Sequence, residues 1–340
     1  MTNEEKNGMR HLDRRSVLKL AAICAMPFGS GTVWAQTAYP SRPVRMIVPL
    51  NPGGGTDVFA RIVAEKLGTS LGQAIVVDNK PGASGMIGTD YVAKAAPDGY
   101  VVGITQSGPM LTNQFLFEKM SYDPQRDLTC VYLMALGPQI LLVNPAKVPA
   151  RNATELVEFI KREKGKLSYG SVGVGSYGHL ALEYMSQTHD AKMAHAPYSG
   201  EAAMARDLIA GDVALAFGSS VLAKPNVDAG KLRAIGVSGN QRMSSLPNVP
   251  TLSEQGLTDE VFRTVGWLAL VVPSRTPAHI VDRLHDEMRK IALMPDVQER
   301  IGNLGLEIVK DSTPASYKTF YEAQKPVWER LVKLAGVRPN

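Results

Sequence analysis

The sequence predicts a two-lobed α/β protein, with a doubly wound sheet in each lobe and crossover strands between them. Three observations carry this. Short apolar, β-branched runs alternate with amphipathic helical segments along nearly the whole chain, the order that builds sheets covered by helices on both faces. The turns leading from these runs into the helices are rich in Gly and Ser. Two longer apolar segments, 130–143 and 261–272, lack helical periodicity and stand where the chain would pass from one lobe to the other and back.

Taken in order, residues 44–50 read as a buried strand. Asn51-Pro52-Gly53-Gly54-Gly55 breaks it, and Thr56 opens a helix that aligns Val58, Phe59, Ile62, Val63, Leu67 and Leu71 on one side. Residues 74–77 form a second strand, 80–85 a loop and 87–96 a helix. Pro97-Asp98-Gly99 is a turn by composition, and 100–105 is a third strand. Segment 130–143, interrupted by Gly137-Pro138, makes the first crossing. The alternation then resumes, with helices over 153–164, 179–187 and 201–210 and strands over 167–171, 192–196, 213–217 and 232–237. A proline-rich stretch at 246–250 precedes the second crossing. Two amphipathic helices follow. One carries Ile280, Val281, Leu284, Met288 and Ile291; the other carries Tyr317, Phe320, Tyr321, Val327, Trp328, Leu331 and Val332. This is core spacing, so the aromatics pack rather than form a site. The expected domains are 36–142 together with 265–340, and 143–264, after a leader at 1–35.

The leader has a three-part order. Arg14-Arg15-Ser16-Val17-Leu18-Lys19 precedes an apolar stretch at 20–28, and Val33-Trp34-Ala35 offers a cleavage site. The apolar stretch is too short for a membrane-spanning helix, which needs roughly 20 apolar residues. The paired arginines point to twin-arginine export with cleavage near Ala35 and a periplasmic mature protein. Ile23 stands before Cys24 where a lipid anchor requires a small residue. Removing residues 1–35, with five basic and three acidic side chains, lowers the net charge from +5 to +3. No run of Lys and Arg forms a phosphate track, which argues against nucleic acid. Cys130 is then the single cysteine, so no intrachain disulfide forms and stability rests on the core.

The first candidate site is Pro52-Gly53-Gly54-Gly55-Thr56-Asp57, between a strand and a helix. Glycines let backbone N–H groups approach a ligand, and a helix start adds free donors and a favourable dipole, together suiting a carboxylate or phosphate. The bland reading is a tight turn capped by Thr56 or Asp57. No Gly-Lys-Ser/Thr follows, so it is not a P-loop. The second candidate runs from Gly170 to His179. Gly173, Gly175 and Gly178 match the dinucleotide fingerprint formally, but the acidic residue expected about 20 positions on, at the end of the next strand, is missing. An anion cradle with hydroxyls from Ser171 and Ser176 fits better. Tyr198, Ser107 and Ser219 follow other strands in the same manner. No paired carboxylates, no clustered His or Cys and no Gly-x-Ser-x-Gly elbow occur, so neither an enzyme nor a metal or other cofactor is expected. His179 stands out among the histidines because it directly follows the second glycine loop.

These loops, in this order, resemble the Bug family, the substrate-binding proteins of tripartite tricarboxylate transporters. The resemblance begins at Tyr39-Pro40-Ser41-Arg42-Pro43 and runs through Pro52–Asp57, Asn79-Lys80-Pro81-Gly82-Ala83, Ala96-Pro97-Asp98-Gly99-Tyr100 and Tyr122-Asp123-Pro124. It continues through the glycine loop ending at His179, Pro197-Tyr198-Ser199-Gly200, Gly230-Lys231-Leu232-Arg233-Ala234 and Leu246-Pro247-Asn248-Val249-Pro250-Thr251. Each is weak alone; the ordered set is specific. It implies a periplasmic binding protein of the Venus-flytrap kind, which closes on a small organic carboxylate. Gly54, Gly55, Thr56 and Asp57 would hold one end, and Ser107, Ser171, Ser176, His179, Tyr198 and Ser219 the rest. It also implies membrane permease partners, with the receptor itself a monomer. Where many members carry Asp-Asn after a second-lobe strand, Gly218-Ser219 stand here, which argues against an amino-acid ligand. Two rival readings are an exported NAD(P)-type oxidoreductase using Gly173, Gly175 and Gly178, and a ligand sensor for a membrane kinase.

Overall fold

The computed structural model describes residues 39–337. The leader, with its paired arginines and cleavage site, lies outside the described residues. Strand β1 (Val44–Val48) runs into helix α1 (Gly55–Leu71), which returns to β2 (Ile75–Asn79). Helix α2 (Met86–Ala93) and strand β3 (Val101–Gln106) follow, then the short α3 (Asn113–Leu116) and β4 (Leu128–Gly137). The chain crosses to β5 (Ile140–Val143) and alternates through α4 (Ala153–Arg162), β6 (Ser168–Ser171), α5 (Tyr177–Thr188), β7 (Ala194–Pro197), α6 (Glu201–Ala210), β8 (Leu215–Gly218), α7 (Ser220–Asp228) and β9 (Arg233–Val237). After α8 (Glu260–Arg263) comes β10 (Gly266–Pro273). Helices α9 (Ala278–Ala292) and α10 (Pro295–Asn303), strand β11 (Glu307–Ile308) and helix α11 (Pro314–Leu334) complete the fold.

Two sheets result. One has strand order β11-β4-β10-β3-β1-β2, the other β7-β6-β8-β5-β9. The expected alternation is present, but neither sheet is wholly parallel. β1, β2 and β3 pair in parallel, as do β6, β7 and β8, because a helix returns the chain after each. The strands next to the crossings, β10, β4 and β5, pair antiparallel. Segment 130–143 is divided at Pro138-Gln139, with β4 in one sheet and β5 in the other. Segment 261–272 is only partly strand, since its first residues form α8. Helix α10 and the two-residue β11 have no counterpart in the expectation from sequence.

The two passages between sheets are fastened to each other. The Gln139 N–H donates to Ser238 Oγ and the Ser238 N–H to the Gln139 carbonyl, both at 2.8 Å. On one face of the first sheet, Phe59, Ile62, Val63 and Leu67 of α1 pack with Val44, Met46 and Val48 and with Leu284 and Met288 of α9. Tyr321, Trp328, Leu331 and Val332 of α11 are buried in a separate cluster that extends to Leu180 and Met185 of α5. The C-terminal aromatics are therefore packing, as their spacing predicts.

Leu141 sits at the centre of β5, fully buried between β8 and β9. Leu141→Ala is expected to lower stability by about 2–5 kcal/mol through lost burial and the cavity left behind. Urea titration should show a lower midpoint with an unchanged slope.

Candidate functional site

Strand ends of both sheets deliver their turns to one cavity of about 120 Å³, close to the volume that admits a benzene-sized molecule. Its walls include residues 54–57 at the start of α1, Ser107 after β3, Ser176 and Tyr177 at the start of α5, Glu201 at the start of α6, and Ser219 just before α7. Trp267 of β10 and Gln139 of the first crossing close it from below. Of the ten residues expected at the site, Gly54, Gly55, Thr56, Asp57, Ser107, Ser176 and Ser219 border this cavity; Ser171, His179 and Tyr198 do not.

The turn before α1 is held by Asp57. Its carboxylate accepts from the Gly53 N–H (3.0 Å), from Arg61 Nε and Nη2 (3.0 Å each) and from Asn79 Nδ2 (3.0 Å). Asn79 Nδ2 also donates to the Leu50 carbonyl at 2.9 Å. Burial works against the Asp57 charge, but the bonds from Arg61, Gly53 and Asn79 outweigh it and hold the carboxyl below its ordinary range. The side chain of Asp57 is thus committed to shaping the turn, and what this segment offers the cavity is backbone together with Thr56. Gly54, the N-cap residue, is extended (φ −87°, ψ 171°) and supplies no side-chain cap to α1. First-turn N–H groups have no partner within their own helix.

The second glycine loop meets the first lobe. Gly175 has φ +79°, and a Cβ there would overlap Leu116, so glycine is needed twice over, for conformation and for close approach. Leu116 covers the loop where a pyrophosphate would have to lie, which counts against the dinucleotide reading. Ser176 caps α5 by accepting from the His179 N–H. His179 is buried, and its Nδ1 accepts from the Gly175 N–H at 3.0 Å. Its ring stacks on His195 with centroids 3.9 Å apart, and His195 Nε2 bonds Ser171 Oγ at 2.7 Å. Tyr198 donates to Asp207 at 2.9 Å. His179 and Ser171 thus bond the glycine loop itself, at Gly175 and Gly173, while Tyr198 is held by α6.

Three further residues matter that sequence reasoning missed. Glu201, the first residue of α6, reaches across the cleft. Its Oε2 accepts from the Gly55 N–H (3.0 Å) and Ser219 Oγ (2.7 Å), and its Oε1 from the Ser219 N–H (2.6 Å). The absence of an acid at Gly218-Ser219 therefore does not leave this corner without one, and it no longer argues against an amino-acid ligand. Asn113 is fully buried with Oδ1 unpartnered, and Trp267 is 2% exposed with Nε1 unpartnered; both border the cavity. Nothing in the sequence marked them. An acid at a helix start is ordinary, and Trp267 lies in a segment that reads as core. Among the described residues no group of three or more His, Cys, Asp or Glu side chains could hold a metal ion, and no helix is long and apolar enough to cross a membrane.

Over residues 59–337 the chain matches the TctC family, described as a tripartite tricarboxylate transporter family receptor. It is 34% identical over 325 residues, 95% of each chain, to the UPF0065 protein in the tcbD-tcbE intergenic region of Pseudomonas sp. strain P51. Two solved structures are similar along their whole length. The periplasmic binding protein BugD matches with a TM-score of 0.83 at 32% identity, over 89% of this chain and 100% of that one. An R. palustris protein with adipate matches with a TM-score of 0.84 at 32% identity and the same coverage.

The stacked histidines generate a prediction. Burial, and for His179 also the neighbouring His195, lowers the two imidazoles from 6.5 to about 3 (His179) and about 4 (His195); Glu183 partly opposes the shift at His195. Between the ordinary histidine value and these, the unfolded chain binds protons that the folded one refuses. Stability is therefore full above about pH 6.5 and declines as pH falls towards 4, by up to about 1.4 kcal/mol per pH unit per group. Urea midpoints measured from pH 7 to 4 should show this decline, and it should be shallower in His195→Gln.

Proposed function

The chain belongs to the family of tripartite tricarboxylate transporter receptors, and on that premise we propose that it captures a small organic carboxylate outside the cytoplasm and delivers it to membrane permease subunits. Members of this family are periplasmic solute-binding proteins. In this reading residues 1–35 direct twin-arginine export and are removed near Ala35. The mature receptor is a monomer whose two domains, 36–142 with 265–340 and 143–264, close by bending at the fastened crossings around Gln139 and Ser238.

One observation carries the ligand class: the cavity is bordered by the starts of α1, α5, α6 and α7. A helix start offers unpaired N–H groups and the positive end of the helix dipole, a natural seat for an anion. The relative with adipate supports the same class of ligand. We assign the carboxylate contacts to the backbone of Gly54, Thr56 and Asp57 and to the start of α5 at Ser176, with Ser107 completing the walls. Ser171, His179 and Tyr198 act through the loops they brace, and Ser219 acts through Glu201.

Gly54→Asp tests the assignment. The extended backbone at Gly54 is one that aspartate adopts readily as an N-cap, so the variant should fold. Its carboxylate would then lie over the first-turn N–H groups of α1 and repel a ligand anion. A carboxylate that raises the melting temperature of the mature wild-type protein, as ligand binding must, should leave this variant unmoved. A folded Gly54→Asp protein with undiminished affinity would sink the assignment of this turn.

A further inference from the structure

Glu201 places a carboxylate of the protein itself where a ligand anion would be expected to sit. It accepts the Gly55 N–H at the start of α1 together with the N–H and Oγ of Ser219, the N-cap residue of α7, while standing at the start of α6. Neither α1 nor α7 has a side-chain cap from its own N-cap residue, so one carboxylate, carried at the start of α6, serves the starts of two other helices. With three hydrogen bonds accepted, most of its capacity of about four is used.

The rest of the wall gives a second carboxylate no compensation. Among the described residues no Lys or Arg borders the cavity; the charged side chains there are Asp57 and Glu201. Asp57 is ion-paired with Arg61 and bonded to Gly53 and Asn79, which leaves Glu201 as the unpaired charge facing the ligand space. The unpartnered buried groups, Trp267 Nε1 and Asn113 Oδ1, are neutral. They suit an uncharged donor or acceptor on a ligand, and an anion brought beside Glu201 meets like charge with no cation between.

We propose that Glu201 sets the charge of the ligand: it stands in for one ligand carboxylate, so the receptor takes molecules with a single carboxylate and discriminates against dicarboxylates. This rests on the reading of the chain as a carboxylate receptor. The end of the ligand that faces Glu201 is uncharged or cationic, while its carboxylate uses the donors left at the starts of α1 and α5.

The test uses straight-chain carboxylates of three to eight carbons, each monocarboxylate paired with the dicarboxylate of equal length, plus 6-aminohexanoate to compare with hexanoate and adipate. Affinities are measured by calorimetry on the mature wild type, Glu201→Ala and the isosteric, uncharged Glu201→Gln. Circular dichroism and melting temperature establish that each variant is folded. In the wild type the best monocarboxylate should exceed its dicarboxylate partner by at least about tenfold, with 6-aminohexanoate also above adipate. In both variants these ratios should fall to within about threefold of unity, the dicarboxylate gaining most. A wild type that prefers dicarboxylates, or ratios unchanged in the folded variants, overturns the role of Glu201 and leaves the carboxylate receptor standing. Binding of no carboxylate by any of the three proteins overturns both.

Discussion

Unpaired backbone N–H groups at helix starts organise this molecule. A strand that ends and turns at once into a helix must leave the first N–H groups of that helix without partners of their own. Here both sheets aim such turns at one place, so the starts of α1, α5, α6 and α7 border the same cavity. Water, a ligand or another part of the protein has to satisfy them. The carboxylate of Glu201 meets part of that demand, and the remaining donors are those the proposed ligand carboxylate would use.

Side chains around the cavity divide according to this arrangement. Several that look like ligand-binding groups are held by other partners. Asp57 fixes the turn before α1 through Arg61, Asn79 and Gly53. Ser171 and the stacked pair His179 and His195 form a largely buried support for the second glycine loop. Such bracing would favour recognition by backbone groups in the proposed reading, because an N–H fixed by a braced turn loses little freedom on binding. Backbone donors read charge more than shape, so in the proposed reading finer selectivity would fall to neutral groups such as Trp267 and Asn113 and to the charge of Glu201.

The proposed closure would involve the same contacts. Asn51 Nδ2 donates to Ser199 Oγ at 2.8 Å, Glu201 bonds Gly55, and Leu116 packs on Gly175. All three join segments that belong to different sheets, apart from the fastened crossings at Gln139 and Ser238. Bending at those crossings would make or break the three contacts together, which couples the shape of the ligand space to the relative position of the lobes.

From the sequence alone came the α/β alternation, the two crossings, the glycine-rich strand-to-helix turns and seven of the residues that border the cavity. These are local properties: hydrophobic period, chain breakers and helix starts are set by neighbours within a few residues, and the ordered loops were enough to indicate a receptor family. The tertiary structure decided which polar residues face the ligand space and which hold the walls. Ser171, His179 and Tyr198 have the right chemistry and stand next to the right loops, yet they do not border the cavity, and their partners are His195, Gly175 and Asp207. Glu201 reads in sequence as an ordinary acid at a helix start. Its role exists only because folding brings it to Gly55, 146 residues away, and a hydrogen bond across that separation has no local signature.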